Sequence, residues 1–233
     1  MLVCPSALDL SARHLRFLTD RLTAHRTARG TRWRRLSAGR QALLVLAHLR
    51  LGHTYAQLAA GFEVGVSTVY RYITEAVGLL AVRAPDLATA VTAASAKAFV
   101  IMDGTLLPID RIAADRPFYS GKHKRHGMNV QVIADPQGKL LWASPALPGA
   151  VHDIKASRTH GIIDALVPFR GRWDRLSTGQ RAVNAAHARI RALGEQAMAT
   201  LKTWRLLRKL RCSTTRITSH VQAVLTLHLT CSN

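Results

Sequence analysis

The pattern of hydrophobic residues changes near residue 97, and this change constrains the fold more than any other feature of the chain. Before it, apolar residues recur at the 3.6-residue spacing of amphipathic helices. After it, apolar and β-branched runs alternate with turn residues, as is typical of strands. With 233 residues, 48% of them hydrophobic, the chain can bury a real core. We therefore predict a helical domain at residues 1–83, a linker rich in Ala and Thr at 84–97, and a domain of α+β or α/β class at 98–233.

Two helices are predicted in the first 52 residues. Leucines near helical spacing predict a helix over residues 8–29. Ser37 is a favourable N-cap for a second helix, Ala38–Leu51, because its hydroxyl can accept a hydrogen bond from a backbone amide of the first turn. Gly52 is suited to ending that helix.

Two further helices joined by a short turn complete this part of the chain. The first is predicted over residues 54–61, and the second is capped by Ser67 and runs to about Leu80, with Gly65 permitting the turn. Three successive helices with a glycine in the last turn indicate a helix-turn-helix motif. An ordinary three-helix bundle would show the same spacing and is the alternative. The face that would meet DNA carries Thr68, Tyr70 and Arg71.

A three-stranded antiparallel meander is predicted from about Phe99 onward. The runs "AFVIMDGTLLPI", "MNVQVIADPQGK" and "LLWASPALPG" would form its strands, and Asp135–Gly138 a hairpin turn. Helical patterning returns at Ser177, which forms a potential capping box with Gln180. A last helix is predicted over Thr215–Leu229.

The net charge is +20, from 33 Lys and Arg against 13 Asp and Glu. Self-repulsion of this size favours an anionic partner, and nucleic acid is the first candidate. A solvated basic surface, or burial in a ribonucleoprotein, is the alternative. The sequence has no run of 18 apolar residues and no signal peptide, so we expect a soluble intracellular protein without a membrane partner.

Three acidic residues stand out in this basic chain. Asp103 precedes a glycine at the end of a strand-like run, and Asp153 follows another apolar run. Glu195 shares a predicted helix face with Arg191 and Lys202, at offsets of four and seven residues. Two aspartates and a glutamate could hold a pair of Mg²⁺ ions against a phosphodiester, while the two cations grip its backbone. The alternatives are a simple turn aspartate at 103 and an ion pair between Glu195 and Arg191.

A basic stretch, "GKHKRHG", lies between the first acid and the second strand. It is a candidate for phosphate contacts, because cationic side chains and turn amides bind phosphate oxygens. A solvated basic turn is an equally simple interpretation. The candidate contacts are Lys122, Lys124 and Arg125.

Several segments together resemble a known family. "VIMDGT", "YSGKHKRHGMNVQVIADPQGKLLWAS", "PGAVHD" and "NAAHARIRALGEQAMATLKTWRLLRKLRC" are similar to insertion-sequence transposases of the DDE type, the group that shares its catalytic domain with eukaryotic Harbinger transposases. Their last catalytic helix has the signature Tyr, two residues, Arg, three residues, Glu, six residues, Lys. Arg191, Glu195 and Lys202 match it, and Ala188 takes the tyrosine position.

The resemblance implies a ribonuclease-H-like catalytic domain that binds two Mg²⁺ or Mn²⁺ ions and joins transposon ends to target DNA. Asp103 would be the acid of the first strand and Glu195 the acid of the helix. Asp153 matches a His-Asp pair that the family uses at a metal position. Double-stranded DNA, as terminal inverted repeats and as target, would be the partner of a homodimer acting on the bacterial nucleoid in the cytoplasm.

One departure from the family pattern bears on activity. Relatives carry a further strand ending in a motif of the type Ala-Asp-Lys-Gly-Tyr, which supplies the middle catalytic acid, and this sequence lacks it. Near residues 166/167 the sequence continues as if some twenty-odd residues had been removed. The ribonuclease-H-like sheet would then be incomplete. We predict a catalytically impaired copy. The alternatives are a non-catalytic helix-turn-helix protein that binds DNA, and a basic module without a specific site.

Overall fold

The computed structural model describes residues 8–31, 33–97, 100–110, 116–166 and 194–231. The chain forms two compact units, one of Met1–Ala84 with Thr203–Asn233 and one of Pro85–Lys202. The domain boundaries expected from the sequence differ from these units at the C-terminal end, since the last 31 residues group with the N-terminal unit. None of the described helices has both the length and the apolar character needed to cross a membrane.

The first unit is helical in its described part. Its core is made of fully buried aliphatic side chains from successive helices, including Leu18, Leu44 and Ile73. Its helices are α1 Ala12–Ala28, α2 Ala38–Leu51, α3 Tyr55–Phe62, α4 Val66–Ala81 and, near the C terminus, α9 Thr214–Cys231.

The ends of α2 follow the sequence signals. The Ser37 side chain accepts a hydrogen bond from the Arg40 amide, and Gly52 has a left-handed conformation, with φ of 72°. That conformation costs glycine little, which explains why the helix stops there. The predicted start and end of this helix are confirmed.

The turn between α3 and α4 differs in detail from the prediction. Thr54 caps α3 in a full capping box with Gln57, but the left-handed residue that ends α3 is Glu63, with φ of 56°. Gly65, with φ of −66°, is the N-cap of α4, so the predicted cap at Ser67 is wrong. The helix begins at Val66, so its N-cap lies two residues before Ser67.

α9 explains why the C-terminal segment belongs to the first unit. It packs on α4, and the Thr226 hydroxyl donates a hydrogen bond of 2.9 Å to the Leu80 carbonyl. Its apolar face is fully buried at Val221, Val224 and Leu225. Burial of that face stabilises the helix where propensity alone would not.

The second unit is built on an antiparallel sheet. The long central strand β3 pairs with each of the other strands, and its register with β1 places Asp103 opposite Val132. The α+β class expected from the sequence is confirmed. The strands are β1 Ile101–Pro108, β2 Tyr119–Ser120, β3 Arg125–Ala134, β4 Leu140–Ala143 and β5 Leu147–Pro148.

The predicted hairpin turn between β3 and β4 is also confirmed. The Asp135 carboxylate accepts hydrogen bonds of 2.9 Å from the backbone amides of Gln137 and Lys139. Gly138 supplies the positive φ, 77°, that closes the turn.

The Ala- and Thr-rich stretch predicted as a linker contains a helix, α5 Leu87–Ser95. Asp86 caps it by accepting a hydrogen bond from the Thr89 amide. Ala90 is buried in a cluster with Ile133, Trp142 and Ile162. The small side chains therefore allow close packing on the sheet, and the composition that suggested a linker is that of a packed helix.

Shorter helices complete the described part of the second unit: α6 Asp153–Thr159, α7 Ile162–Leu166 and α8, described over 194–202. Some predictions lie outside the described residues. They are the capping box of Ser177 with Gln180, the candidate contact Arg191, and the deletion point that follows the described residue Leu166.

Candidate functional site

Asp103 lies within β1, at a half-buried position. Its Oδ1 accepts a hydrogen bond of 2.8 Å from the backbone amide of the next residue, Gly104. The strand holds the backbone on both sides of this carboxylate through the ladder to β3. Asp103 is therefore a fixed carboxylate inside the strand, where the sequence suggested a strand end.

Asp153 is held by a network of polar side chains. Its Oδ1 accepts hydrogen bonds from Asn129 Nδ2 at 3.0 Å and Gln131 Nε2 at 3.3 Å. Its Oδ2 lies 3.1 Å from Lys122 Nζ. Gln131 Nε2 also donates to Asn129 Oδ1, and Gln131 Oε1 accepts from the Ser157 hydroxyl. Two buried strand amides and one exposed lysine therefore fix this carboxylate.

The location of Asp153 differs from the prediction that it ends a strand. It is the first residue of α6, after the N-cap His152. An acidic residue in the first turn is favourable there because the backbone amides carry partial positive charge. The preceding strand, β5, is only two residues long and ends at Pro148.

Gly104 makes room for the Asp153 carboxylate. A Cβ atom at this position would collide with the Asp153 carboxylate and with the Gln131 amide. The missing side chain lets the Asp153 carboxylate pack directly against the backbone that follows Asp103. This close packing requires glycine at position 104.

Opposing effects act on the pKa of Asp153. Burial favours the neutral acid and raises the pKa, but hydrogen bonds from Asn129 and Lys122 and the charge of Lys122 favour the carboxylate. The net result is a lowered pKa, so Asp153 is ionised near neutral pH. An ionised carboxylate is the form that binds a cation.

The start of α8 lies beside Asp103. A Cβ atom at Gly194 would be 3.6 Å from Asp103 Oδ2 and 3.2 Å from Ile101 Cγ2. Ala197 packs with Ile101 and Ala134 and holds the helix on the sheet. Glu195, the residue after Gly194, is exposed.

The three predicted acids do not form a metal-binding cluster in the described residues. Within those ranges, no group of three or more His, Cys, Asp or Glu side chains is arranged to hold an ion. Asp153 lies against Gly104 on one face of β1, whereas the Asp103 side chain lies near Gly194 on the other face, and Glu195 follows Gly194 in the chain. A cavity of about 30 Å³ beside Asp153 has room for water-sized species.

The predicted cations have different surroundings. Lys122 pairs with Asp153, while Lys124 is exposed with a left-handed backbone, φ of 50°. Burial and then the charge of Arg125 lower the pKa of Lys202, while the charge of Asp103 opposes them. Lys202 therefore lies in the electrostatic neighbourhood of both Arg125 and Asp103. The predicted contact Arg191 is outside the described residues.

The outer face of α4 carries the predicted DNA contacts. Arg71 is exposed and its Nη2 lies 3.4 Å from Thr68 Oγ1. Tyr70 is 45% exposed and faces away from this pair, toward Tyr55 and Arg216. Val69 and Ile73 point into the core, as their spacing predicted.

Trp33 was missed by the sequence analysis. It is 91% exposed and lines a surface depression together with Arg34, Arg35, Thr68 and Arg71. Tryptophan side chains in folded proteins are usually at least partly buried. Its position between arginines, in "RWRR", was the available signal.

Arg34 links this surface to the helical core. Its guanidinium donates two hydrogen bonds to Glu75, of 2.8 and 3.2 Å, and lies over the Tyr72 ring. Gln41 donates a third hydrogen bond to the same carboxylate, at 2.9 Å. Burial raises the pKa of Glu75, but these hydrogen bonds and the charge of Arg34 outweigh it and lower the pKa.

Comparisons with known proteins identify a family for both the helix-turn-helix region and the region that begins at β1. Residues 34–86 match the helix-turn-helix of DDE superfamily endonuclease, and residues 102–228 match the DDE superfamily endonuclease itself. A protein of Streptomyces albus G, named as a transposase for insertion sequence element IS112, is 31% identical over 192 residues, which are 73% of this chain and 71% of that protein. The chain belongs to the DDE-superfamily transposases of insertion sequences. No solved structure gives a significant match.

The family match answers which kind of helical domain the N-terminal helices form. The helices of this transposase are those of a helix-turn-helix domain, so the three-helix bundle without such a motif is excluded. The match to the endonuclease runs from β1 into α9 and thus includes the segment carrying Glu195. The transposase therefore carries a DNA-binding motif and an endonuclease region in one chain.

Proposed function

We propose that this transposase binds the terminal inverted repeats of its insertion sequence through the face of α4, and that Asp103, Asp153 and Glu195 form its endonuclease site. The observation that carries the proposal is the packing of the Asp153 carboxylate against Gly104, next to Asp103. Fixed carboxylates are few in a chain with 33 Lys and Arg against 13 Asp and Glu, and carboxylates held by β1 and by the first turn of α6 are of the chemical type that a divalent cation prefers.

The donor chemistry suits a divalent metal such as Mg²⁺ or Mn²⁺, because carboxylate oxygens are its preferred ligands, although the three side chains are not arranged around one ion in the described residues. Asp103, Asp153 and Glu195 would hold it. When bound, such an ion stabilises the charge that develops on a phosphodiester during attack by water or a 3′-hydroxyl. Lys122 must then leave Asp153 Oδ2, which its 63% exposed side chain can do.

The cations around these acids would bind the DNA backbone. Lys202 lies in the electrostatic neighbourhood of both Arg125 and Asp103, and Lys124 is exposed in the turn before β3. Each would contact a phosphate and hold the strand over the carboxylates. Joining two transposon ends requires both ends in one complex, so we expect a homodimer acting on DNA of the bacterial nucleoid.

A second candidate function is DNA binding without cleavage. It is favoured by the missing family motif with the middle acid and by the pairing of Lys122 with Asp153. Within the described residues β1 has a strand partner on one side only, so the sheet has an open edge beside Asp103 where a further strand could pair. We propose that cleavage is impaired in this copy and that end recognition is retained.

One experiment tests both candidates. The full chain is used to select its binding site from a random duplex library, and the selected duplex is then incubated with the chain and Mn²⁺. Cleavage that disappears in Asp103→Ala supports the endonuclease site. Specific binding without cleavage supports the second candidate. Equal binding to every duplex, with salt dependence as its main feature, would contradict both.

A further inference from the structure

A cavity of about 410 Å³ lies within the helical unit and has no role in the proposed cleavage. It is lined by the end of α2, the start of α3, Tyr70 of α4 and the segment that leads into α9. Its volume is in the range of small-molecule sites. We call it the aromatic-basic cavity and ask which ligand its walls would accept.

The charged groups that line the aromatic-basic cavity are cationic. Lys209, Arg211 and Arg216 contribute to its wall, and its lining contains no Asp or Glu among the described residues. The first turn of the 18-residue helix α9 lies at the same wall and adds the partial positive charge of a helix N-terminus. The walls therefore favour an anion.

The field of Arg216 is visible in its neighbours. Burial is the main reason why the pKa of His48 falls to about 4, and the positive charges of His220 and Arg216 lower it further. His48 lines the cavity and is thus neutral near neutral pH. His48 therefore adds no charge of its own to the cationic walls.

The same cavity has aromatic walls. The rings of Tyr55 and Tyr70 meet edge to face, with centroids 6.1 Å apart and planes at 74°. The Arg216 guanidinium lies 4.7 Å from the centroid of Tyr70, and a hydrogen bond to Thr74 Oγ1 at 2.5 Å fixes it there. A planar ring entering the cavity could stack on a tyrosine face or on this guanidinium.

We propose that the aromatic-basic cavity binds a nucleotide, with its base on Tyr55 or Tyr70 and its phosphate on Arg216 and Lys209. Cationic walls alone would suit sulfate or an acidic peptide, but the paired tyrosines add a surface on which a planar ring can stack. The nucleotide can come from two sources, an unpaired position of a DNA strand or a free mononucleotide. Only the first source rests on the proposed function, because Tyr70 lies on the same helix as Arg71.

Fluorescence of 2-aminopurine tests the proposal, because its emission is quenched when the base stacks. The full chain is titrated with free 2-aminopurine nucleoside monophosphate and with two duplexes of the selected sequence, one with a single unpaired 2-aminopurine and one with the same base paired. We expect saturable quenching of the free nucleotide, of the unpaired base, or of both, and little change for the paired base. Quenching of the unpaired base alone identifies the DNA strand as the source.

Matched variants separate the cavity from the DNA-binding face. Tyr70→Leu and Arg216→Gln should each weaken the nucleotide affinity measured by quenching about tenfold or more. Tyr70→Phe, which keeps the ring, should retain that affinity. Arg71→Gln should weaken binding of the fully paired duplex and leave quenching of the free nucleotide unchanged. Absence of specific duplex binding by the unaltered chain, together with intact nucleotide binding, would remove the proposed function and leave the cavity assignment.

Protection of Cys212 provides a measurement on the unaltered chain. This cysteine lines the cavity, and burial raises the pKa of its thiol, so alkylation is followed at about pH 9 by peptide mass spectrometry. The free nucleotide should slow alkylation of Cys212 and leave that of the buried Cys231 unchanged. Absence of both quenching and protection would overturn the proposal, as would equal protection by inorganic phosphate at the same concentration.

Discussion

Lys122 Nζ lies 3.1 Å from Asp153 Oδ2, where it occupies the side of the carboxylate that a divalent cation would approach. The pair is exposed, since 63% of the lysine side chain and 40% of the aspartate side chain are accessible. Its contribution to stability is therefore small, but it would compete with the metal ion proposed above. Whether the carboxylate binds a metal depends on this competition.

We predict that Lys122→Gln increases the affinity for Mn²⁺. An exposed ion pair is worth about 0.2–1 kcal/mol, so its removal should tighten binding by up to about fivefold. The measurement is a Mn²⁺ titration followed by electron paramagnetic resonance. Lys124→Gln removes an equal charge without contact to Asp153 and serves as the control. Equal effects of the two variants would show that only the general field matters.

Gly104 allows a second prediction, because its Cα lies against Asp153 and Gln131. Gly104→Ala should lower the free energy of unfolding by about 1–3 kcal/mol, since the added methyl group must displace a hydrogen-bonded carboxylate or amide. Gly121→Ala is the matched control, as a Cβ there meets no atom within 4 Å. Urea unfolding of both variants checks the difference. A similar stability for the two would contradict the packing described here.

Local signals in the sequence predicted those elements whose ends are set by one or two residues. Ser37 and Gly52 bound α2, and the Asp135 carboxylate with Gly138 forms the hairpin turn. In each case the side chain or the glycine acts on backbone a few residues away. Such interactions can be recognised without knowledge of the fold.

Long-range interactions could not be predicted in the same way. Asn129 and Gln131 alternate with buried apolar residues on β3, and only the approach of α6 shows that they bind Asp153. α5 was hidden because Ala and Thr have no strong pattern, and its stability comes from contact with Ile133 and Trp142. These features depend on which segments meet, and the sequence pattern does not encode that in any local signal.

His48 predicts how stability depends on pH. Its pKa in the folded state is about 4, mainly because of burial, against 6.5 for the free side chain. The unfolded chain therefore binds more protons between these values, and stability falls as the pH is lowered from about 6.5 toward 4, by up to about 3 kcal/mol from this group. Above pH 6.5 the contribution is complete and constant. The neighbouring charges are His53, His220 and Arg216.

The measurement is the free energy of unfolding in urea at pH 7 and pH 5. His48→Gln should reduce the difference between the two values, since an amide does not titrate. His53→Gln, which changes a partly exposed neighbour, should leave most of the difference intact. An unchanged pH dependence in His48→Gln would show that other histidines are responsible.

Trp33 predicts an aromatic contribution to DNA binding. It is 91% exposed and lies among Arg34, Arg35 and Arg71. Trp33→Ala should weaken duplex binding by about 1–3 kcal/mol if the indole stacks on the nucleic acid, and the exposed position means that stability should not change. Gel-shift titration and urea unfolding measure the two quantities. A loss of stability with unchanged DNA affinity would assign the indole to the fold.

Arg71 is expected to be the main cation of the recognition face, because it is exposed at the middle of the outer side of α4, next to Thr68. Arg71→Gln should weaken binding to the selected duplex by about 1–3 kcal/mol if the guanidinium reads a base edge. If it binds only a phosphate, affinity for all duplexes should fall by a similar factor and the salt slope should decrease by about one. Arg83→Gln is the matched control, since Arg83 follows the end of α4 and donates a hydrogen bond to the Leu79 carbonyl. Equal effects of the two substitutions would mean that the face of α4 does not lie on the DNA, because a recognition helix contacts base edges with its N-terminal residues and Arg83 lies beyond its C-terminal end.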